Sequence, residues 1–313
     1  MKVACIGNVV YDYTVSSDKK IVKGVRNSYY DAVYNVGGPA SNAAAVIAKF
    51  GSNVDFYGHI SNDASGKFIY SKMLSENINL DHLVVTDEIM TPFSFVVLDT
   101  VENDRTIFTV RSKSDFENPK IGDFDCGNDY EYILTDGKYV DDTIKLLKAN
   151  PSAYSIIDAG RLNDGVIKLC NMVDYIICSE EFANGVTGCE INNDYDNNRN
   201  VFYKMKEIFK CATGIAITIG ARGYICEKDG EVVINPSYKF LMPVVDTNGA
   251  GDIFHGAFTY AIANGYEYHE ALEFANTTAS LSVTKTGGRD SCPSLEEVEN
   301  VLQKKNKVYV KRR

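Results

Sequence analysis

The chain has 313 residues, of which 45% are hydrophobic and 24% are charged, a balance typical of a globular protein with a large apolar core. Its formal net charge of −10 at pH 7 argues against a nucleic-acid partner, because a phosphate backbone attracts a basic surface. The longest charge-free apolar stretch, residues 253–266, is too short to span a membrane, so no membrane partner is expected. The eight cysteines lie apart without CxxC spacing, which favours reduced thiols and a cytoplasmic location.

Short apolar runs alternate with helical periodicity, which predicts an α/β fold with a mostly parallel central sheet flanked by helices. The predicted strands cover residues 3–6, 54–57, 132–134, 155–157, 175–178 and 215–219. The predicted helices cover residues 41–50, 66–76, 141–149, 201–209, 252–264, 269–284 and 295–304. Ser294 followed by Glu297 predicts a capping box at the start of the last helix. The polar run 192–200 is predicted to be a loop.

Two segments depart from this alternation. Residues 15–36 and 91–111 have the alternating polar and apolar pattern of strands that are exposed on one face. Because they interrupt the α/β pattern from separate places, we expect them to pair with each other outside the main sheet. We therefore predict a single domain, residues 1–313, into which this small β-sheet is inserted.

The most informative stretch is residues 244–258, VVDTNGAGDIFHGAF. Gly249 and Gly251 form a turn that leads into an amphipathic helix, which begins near Asp252. The N–H groups at a helix start are unpaired and the helix dipole makes that end electropositive, so small residues there admit an anion. The stretch predicts a phosphate or oxyanion cradle with a carboxylate, Asp252, beside it. A strand-to-helix turn without chemistry is the alternative interpretation.

Four pieces of the sequence resemble the ribokinase/PfkB family of carbohydrate kinases, and they occur in the family's order. DTNGAGD at 246–252 resembles the C-terminal signature, and GGPASN at 37–42 resembles the N-terminal one. ITIGARG at 217–223 looks like the family's nucleotide segment, and the run 274–293 is similar to ribokinase itself. The resemblance spans nearly the whole chain. It implies a ribokinase-like fold, with the small β-sheet as a lid over the substrate site.

The implied activity is an ATP-dependent kinase that transfers the γ-phosphoryl group to a hydroxymethyl group of a small sugar. Asp252 would orient the substrate hydroxyl and accept its proton. The backbone N–H groups that would stabilise charge on the γ-phosphoryl oxygens are those of Gly249, Ala250 and Gly251. The residues expected to bind or approach the sugar are Asp12, Gly37, Gly38 and Asn42.

The resemblance also implies positions for ATP and for metal ions. The residues expected to contact ATP are Thr218, Gly220, Gly223 and Asn276. Mg²⁺ would accompany ATP, and a monovalent cation, usually K⁺, would lie beside the cradle, where hard oxygen ligands suit it. The expected K⁺ ligands are the side chains of Asp246 and Ser291 and the carbonyl groups of Asn248, Val283 and Gly288.

One motif of the family is missing. The family commonly has Asn-x-x-Glu, linked to magnesium and phosphate placement, after the strand that here covers residues 175–178. This chain has Ser179-Glu-Glu-Phe182 instead. Glu180, Glu181 or water molecules are the candidates to replace the motif. The kinase interpretation stands, but no magnesium ligand can be named.

The substrate class is open at this point. Asp12 and the lack of an obvious basic cluster favour a neutral sugar that is ribose-, fructose- or related ketose-like. Arg111, at the end of a lid strand, leaves a phosphorylated sugar as an alternative substrate. A nucleoside kinase of the same family and a non-catalytic sugar or nucleotide sensor are the alternatives, although a sensor would not need Asp252.

Other enzyme classes and the oligomeric state can also be addressed from the sequence. GxGxxG after the first strand, Walker A, GxSxG and HExxH motifs are absent, which argues against dinucleotide oxidoreductases, P-loop ATPases, hydrolases and zinc proteases.

Lid sheets of the resembled family often pair between subunits, and an exposed apolar strand such as 93–98 would gain from being covered. We therefore expect a homodimer that forms through the lid.

Overall fold

The structure, a computed structural model, describes residues 1–18, 22–29, 32–99, 104–117, 119–240 and 242–310. Parts of the two predicted lid segments, residues 19–21, 30–31 and 100–103, lie outside these ranges. The described strands are β1 (Lys2–Ile6), β2 (Val10–Ser17), β3 (Ala32–Gly37), β4 (Asn53–Ile60), β5 (Leu83–Val85), β6 (Phe93–Asp99), β7 (Asp104–Val110), β8 (Tyr132–Thr135), β9 (Tyr154–Ala159), β10 (Tyr175–Ser179), β11 (Gly214–Thr218), β12 (Tyr224–Lys228) and β13 (Glu231–Asn235).

The larger sheet runs in the order β13-β12-β11-β10-β9-β8-β1-β4-β5 among the described strands. The seven strands from β11 to β5 are parallel, whereas β12 and β13 return antiparallel at one edge. Val3 in β1 pairs with Val54 on one side and with Tyr132 on the other. Parallel strands covered on both faces bury nearly every side chain, which is why β1 and β10 are continuous apolar runs.

Helices cover both faces of this sheet. The described helices are α1 (Pro39–Lys49), α2 (Ala64–Ser75), α3 (Lys113–Glu117), α4 (Val140–Ala149), α5 (Asp164–Cys170), α6 (Glu180–Thr187), α7 (Tyr195–Ile208), α8 (Ala250–Ala263), α9 (Tyr268–Ser282) and α10 (Leu295–Val310), with 3-10 turns at Gly220–Arg222 and Gly288–Ser291. One apolar core lies under α1, α8 and α9, and a second lies under α5, α6 and α7. Gly256 lets α8 approach α1 closely, because a Cβ there would lie 2.7 Å from the carbonyl oxygen of Ala43.

The smaller sheet is the predicted lid, in the order β3-β2-β6-β7. β2 and β6 pair in parallel, and the two outer pairs are antiparallel. The expectation that residues 93–98 form an exposed apolar strand is wrong, because β6 is interior and Val96 and Val97 are buried. The exposed apolar side chains are instead on the edge strands, and they are Val33, Tyr34, Ile107, Phe108 and Val110.

Two other features of the fold differ from the sequence prediction. The run 192–200 is not a loop throughout, since α7 begins at Tyr195 and Asp194 caps it by accepting the amide of Asp196 at 2.9 Å. Apart from the buried Asn198, the polar first turns of α7 are largely exposed, while Val201 and Phe202 are buried, so the apolar helical signal appears only in the second half. The β12–β13 hairpin was also missed, although Asp229 and Gly230, both at positive φ, form a typical hairpin turn.

The predicted capping box at the start of α10 is confirmed, and two further properties of the described chain can be reported. The amide of Ser294 donates to Glu297, and the amide of Glu297 donates to Oγ of Ser294, so the capping box is present. All eight cysteines are free, and five of them are buried. None of the helices that the structure describes is both long enough and apolar enough to cross a membrane.

Candidate active site

Two helix N-termini meet next to the lid. α1 follows the lid strand β3 directly, and α8 begins at Ala250 on the other side of the cleft. Nδ2 of Asn42, in the first turn of α1, donates to Oδ2 of Asp252, in the first turn of α8, at 2.6 Å. Oδ1 of Asn42 is buried and has no hydrogen-bond partner. An unpaired acceptor beside a carboxylate suits a ligand hydroxyl, because such a group costs free energy until it is satisfied.

The turn at residues 249–252, which we call the anion cradle, has the geometry that the sequence predicts. Gly249 is the residue before α8 and has φ of 73°, a left-handed conformation that favours glycine. A Cβ on Gly251 would meet no atom within 4 Å, so this side of the cradle is open. The amide of Ala250 points back toward the carbonyl of Thr247 at 3.4 Å, and the amide of Ile253 makes the first helical bond, to Gly249. Small residues therefore leave room for an anion at the positive end of α8.

Asp12, predicted to bind the sugar, lies in the lid. It is in β2, opposite Ser94 of β6, whose hydroxyl hydrogen-bonds to it. A Cβ on Gly37 would lie only 1.9 Å from Oδ2 of Asp12, so the carboxylate rests against glycine backbone. Burial raises the pKa of Asp12 to about 6, and Asp252 adds to the increase. The charge of Asp252 thus reaches Asp12, so the lid residue lies near the helix N-terminus that carries the cradle.

Gly38 has a structural requirement of its own. Its φ is 98°, and a Cβ there would lie 2.4 Å from the carbonyl oxygen of Asn8. The carboxylate of Asp136, at the end of β8, accepts the amides of Asn8 and Ala40 at 2.7 and 3.3 Å. The chain that links the lid to α1 is thus held tightly against the main sheet at this point.

The electrostatics of Asp252 depend on residues that the sequence analysis did not single out. Burial raises the pKa of Asp252 to about 6, and the carboxylate of Asp158 adds to the increase. The hydrogen bond from Asn42 and the charges of His255 and Arg289 oppose it. A buried carboxylate with this pKa is a stronger base than an ordinary aspartate and is still ionised near neutral pH.

Arg289 lies in the 3-10 turn Gly288–Ser291 and is 4% exposed. Nη2 donates to the carbonyl of Ser41, and Nη1 lies 3.4 Å from Glu76. Its charge lowers the pKa of both Asp12 and Asp252. The sequence offered no periodic signal for this residue, because it follows two glycines in an irregular segment far from either carboxylate along the chain.

The segments predicted to hold a monovalent cation are joined in the structure. The amides of Val245 and Asp246 donate to the carbonyl of Val283 at 2.7 and 3.3 Å. The amide of Gly287 donates to Oδ2 of Asp246 at 3.1 Å. The loop before the cradle therefore runs beside the segment that follows α9.

The remaining predicted ligands lie in the same two segments. The amide of Asn248 donates to Oδ1 of Asp246 at 2.8 Å, and Oγ of Ser291 donates to the carbonyl of Gly288 at 2.6 Å. A Cβ on Gly288 would lie 3.3 Å from the Asn248 side chain. The donor set consists of carboxylate, hydroxyl and carbonyl oxygens, which fits the chemistry of K⁺.

Two of the four predicted nucleotide residues, Gly223 and Asn276, lie beside the segment that leaves β13. A Cβ on Gly223 would lie 1.9 Å from the carbonyl oxygen of Asn235, so glycine is required there by the crossing backbone. Nδ2 of Asn276 donates to the next carbonyl, that of Pro236, at 2.9 Å. Gly220 has φ of 59° with open space beside it, and Oγ1 of Thr218 donates to Cys178. The structure therefore brings Gly223 and Asn276 together, but their observed contacts are with the backbone.

The missing Asn-x-x-Glu motif has been replaced by structural residues. Oγ of Ser179 caps α6 by accepting the amide of Phe182 at 3.1 Å, and Phe182 is fully buried in the core. Glu180 pairs with Arg222, in the nucleotide segment, at 2.5 Å, and Glu181 is exposed. Among the described residues, no group of three or more histidine, cysteine or acidic residues is arranged to hold a metal ion.

A comparison with known families identifies the family to which the chain belongs. The model of the pfkB family of carbohydrate kinases matches residues 1–295. The chain belongs to the pfkB family. It is therefore a phosphotransferase that acts on a sugar hydroxyl group, and its fold is ribokinase-like. The matched residues include both helix N-termini and all four strands of the lid.

Individual pfkB relatives are distant but cover nearly the full length. A ribokinase of Haemophilus influenzae is 24% identical over 311 residues, covering 95% of this chain and 97% of the relative. A 5-dehydro-2-deoxygluconokinase of Halalkalibacterium halodurans is 26% identical over 303 residues, covering 88% and 87%. The crystal structure of Arabidopsis thaliana ribokinase complexed with ribose and ATP superposes with a TM-score of 0.79 at 23% identity, covering 96% and 98%.

Proposed function

We propose that this pfkB kinase transfers the γ-phosphoryl group of ATP to a hydroxymethyl group of a small neutral sugar, ribose-, fructose- or related ketose-like. The observation that carries the proposal is the contact between Asn42 and Asp252. It places a carboxylate with a raised pKa, an unpaired amide oxygen and an open helix N-terminus at one point. ATP as the donor is supported by the ATP named in the Arabidopsis ribokinase structure and by the matched nucleotide segment.

Each group has a distinct role in the proposed transfer. The hydroxyl oxygen of the sugar bonds to the γ-phosphorus, and the bond from that phosphorus to the bridging oxygen breaks, leaving its electron pair with ADP. The hydroxyl proton passes to Asp252. The cradle at residues 249–252 stabilises the charge on the phosphoryl oxygens. Asp12 and Asn42 hold other sugar hydroxyls, and the charge of Arg289 lowers the pKa of both carboxylates, which favours their ionised forms.

Metal ions are part of the proposal. Bound K⁺ would supply positive charge beside the cradle, and the residues proposed to hold it are Asp246, Asn248, Val283, Gly288 and Ser291. Mg²⁺ would be held mainly by the ATP phosphates and water, as is usual for this ion, because Glu180 is paired with Arg222. The residues proposed to line the nucleotide site are Thr218, Gly220, Gly223 and Asn276.

The substrate panel must separate neutral sugars from charged ones. Arg111 lies 3.6 Å from Asp115, which Lys138 also contacts at 3.1 Å, so these cations share one buried carboxylate. This pairing supports a neutral substrate. The Halalkalibacterium relative is named for a sugar acid, a substrate with a carboxylate. The panel should therefore compare a sugar acid with the neutral sugars.

A coupled assay of ADP release with a panel of substrates tests the proposal. The panel contains ribose, fructose, fructose 6-phosphate, 5-dehydro-2-deoxygluconate, adenosine and cytidine. We expect turnover to be fastest with ribose or a ketose. Preference for a nucleoside or a charged sugar would contradict the proposed substrate class. Thermal stabilisation by a ligand without turnover of any candidate would favour a sensor.

We also propose that the chain acts as a single domain, residues 1–313, that dimerises through the edge strands of the lid. The exposed side chains of Tyr34 and Phe108, each about half exposed, support this surface. A cytoplasmic location agrees with eight free cysteines, since an oxidising compartment would favour their pairing.

A further inference from the structure

His255 is a buried titratable residue to which the transfer chemistry above gives no role. It lies in α8, on the turn after Asp252, and is 4% exposed. Nδ1 lies 2.6 Å from the carbonyl oxygen of Gly251, inside the anion cradle. Nε2 lies 3.1 Å from the carbonyl oxygen of Ile177 and 3.4 Å from Oδ1 of Asp158.

Two of the three polar neighbours in those contacts are backbone carbonyl oxygens, one at each ring nitrogen. Carbonyl oxygens cannot donate, so a neutral imidazole would leave one ring nitrogen facing an acceptor with its lone pair. Only a ring with protons on both nitrogens satisfies the carbonyl groups of Gly251 and Ile177 together. The Asp158 carboxylate, itself buried, supplies the countercharge that a buried cation requires.

We infer that His255 is a positioning residue, an imidazolium that fixes the carbonyl of Gly251, and hence the anion cradle, and that keeps Asp252 ionised. This inference deepens the proposed function and rests on it for its catalytic consequence. The protonated ring does not exchange its proton during transfer, because both N–H groups are engaged with acceptors. Burying the ion pair of His255 and Asp158 costs desolvation free energy. In return, the protonated ring places a fixed positive charge one helical turn from the base.

The charges around Asp252 show how a protonated ring would act on the base. The ring charge of His255 lowers the pKa of Asp252, whereas Asp158 raises it. Burial raises the pKa of Asp158, whereas the charge of His255 opposes the increase; Asp136 raises the pKa further and Arg161 lowers it. The charged groups that face the base from the packed elements are Asp158 of β9, Asp12 of β2 and Arg289 of the 3-10 turn.

The charge state can be measured directly, whatever the substrate is. The chain has four histidines, so a nitrogen–proton correlation spectrum of the imidazole rings is simple to assign with His255→Asn. We expect both ring nitrogens of His255 to carry protons near neutral pH in the unliganded protein. A ring with one unprotonated nitrogen would overturn the inference while leaving the kinase proposal untouched.

The catalytic consequence is tested by the pH profile of kcat at saturating sugar and ATP. Loss of the neighbouring cation raises the pKa of Asp252, so in His255→Asn the acid limb should move to higher pH. Its kcat should also fall roughly 10- to 100-fold, the cost of a misplaced catalytic group. The matched control is Thr259→Val, one turn further along α8, which removes a buried hydroxyl bonded to the carbonyl of His255 without changing charge.

The two variants separate positioning from packing. Thr259→Val should keep the wild-type acid limb, even if its stability falls. An acid limb in His255→Asn that coincides with that of wild type, or that lies at lower pH, would overturn the inference. If wild type turns over no sugar, the proposed function fails, and the ring spectrum still decides the charge of His255.

Discussion

The side chains of Asn42 and Asp252 meet at 2.6 Å, and this bond links the helix that follows the lid to the helix that begins at the anion cradle. Residues far apart in the sequence thus form one polar unit. In the proposed reaction, a substrate hydroxyl that reaches Asp252 would also come within reach of the unpaired Oδ1 of Asn42. Binding of the sugar and orientation of the proposed base would then be coupled through a single amide side chain.

Asp252→Asn tests the base. The amide oxygen can still accept from Asn42, so the protein should fold and bind ATP, but the proton acceptor is lost. We expect kcat to fall at least about 100-fold, within the range for general acid–base groups, with a small change in the sugar KM. Steady-state kinetics measure kcat and the sugar KM. The control is Asp141→Asn, which replaces an exposed carboxylate on α4. A variant that keeps more than about a tenth of wild-type kcat would exclude Asp252 as the base.

Gly37→Ala tests the position of Asp12. The added Cβ would occupy space 1.9 Å from Oδ2 of Asp12, and it must displace that carboxylate. We expect the sugar KM to rise about 10- to 100-fold, the value of a hydrogen bond to a charged group, while the KM for ATP stays unchanged. Gly38→Val is a poorer test, because its Cβ would strike the backbone of Asn8 and strain a left-handed residue. An unchanged sugar KM in Gly37→Ala would mean that Asp12 does not contact the sugar.

Gly251→Ala tests the cradle. A Cβ there meets no protein atom within 4 Å, and alanine has a higher helix propensity than glycine, so the melting temperature should not fall. The methyl group would enter the space proposed for the phosphoryl group, and we expect kcat to fall roughly 10- to 100-fold. Gly249→Ala provides the contrast, because its left-handed φ and its proximity to Gly288 should lower the melting temperature. Full activity in Gly251→Ala would show that the phosphoryl group lies elsewhere.

The monovalent-cation site is tested by replacing Na⁺ with K⁺ at constant ionic strength. If Asp246 and Ser291 hold the ion, the rate of the wild-type protein should rise in K⁺. Asp246→Asn should lose the difference between the two salts, whereas Ser75→Ala, an exposed serine on α2, should retain it. Equal rates of the wild type in both salts would remove the proposed site.

The lid dimer is tested by Phe108→Lys in sedimentation velocity experiments. Phe108 lies on the edge strand β7 and is 51% exposed, so a charge there should oppose pairing of two lids. We expect a dimer for the wild type and a monomer for the variant. Met172→Lys, which changes an exposed apolar residue far from the lid, should remain a dimer. A monomeric wild type, or a variant that still dimerises, would contradict the proposed surface.

The sequence by itself determined the elements whose signal is local. The alternation of apolar runs and helical periods predicted the parallel sheet, and the Ser294–Glu297 box marked the start of the last helix. It did not reveal the first half of α7, because a solvent-facing helix turn has the same polar composition as a loop. It also misplaced the exposed apolar surface of the lid, since β6 and β7 have similar patterns and only their pairing decides which strand is interior.

The anion cradle and Asp252 were predicted because a turn and the helix that follows it are contiguous in the chain. Which groups surround Asp252 was decided only by tertiary structure. His255 shares its helix, but Asp158, Asn42 and Arg289 come from a strand, another helix and a 3-10 turn. Their effect on the carboxylate depends on distance and burial, and both arise when the sheet brings its strand ends and helix N-termini together. Sequence motifs therefore identified the chemistry, and the packing of distant segments set the charge that controls it.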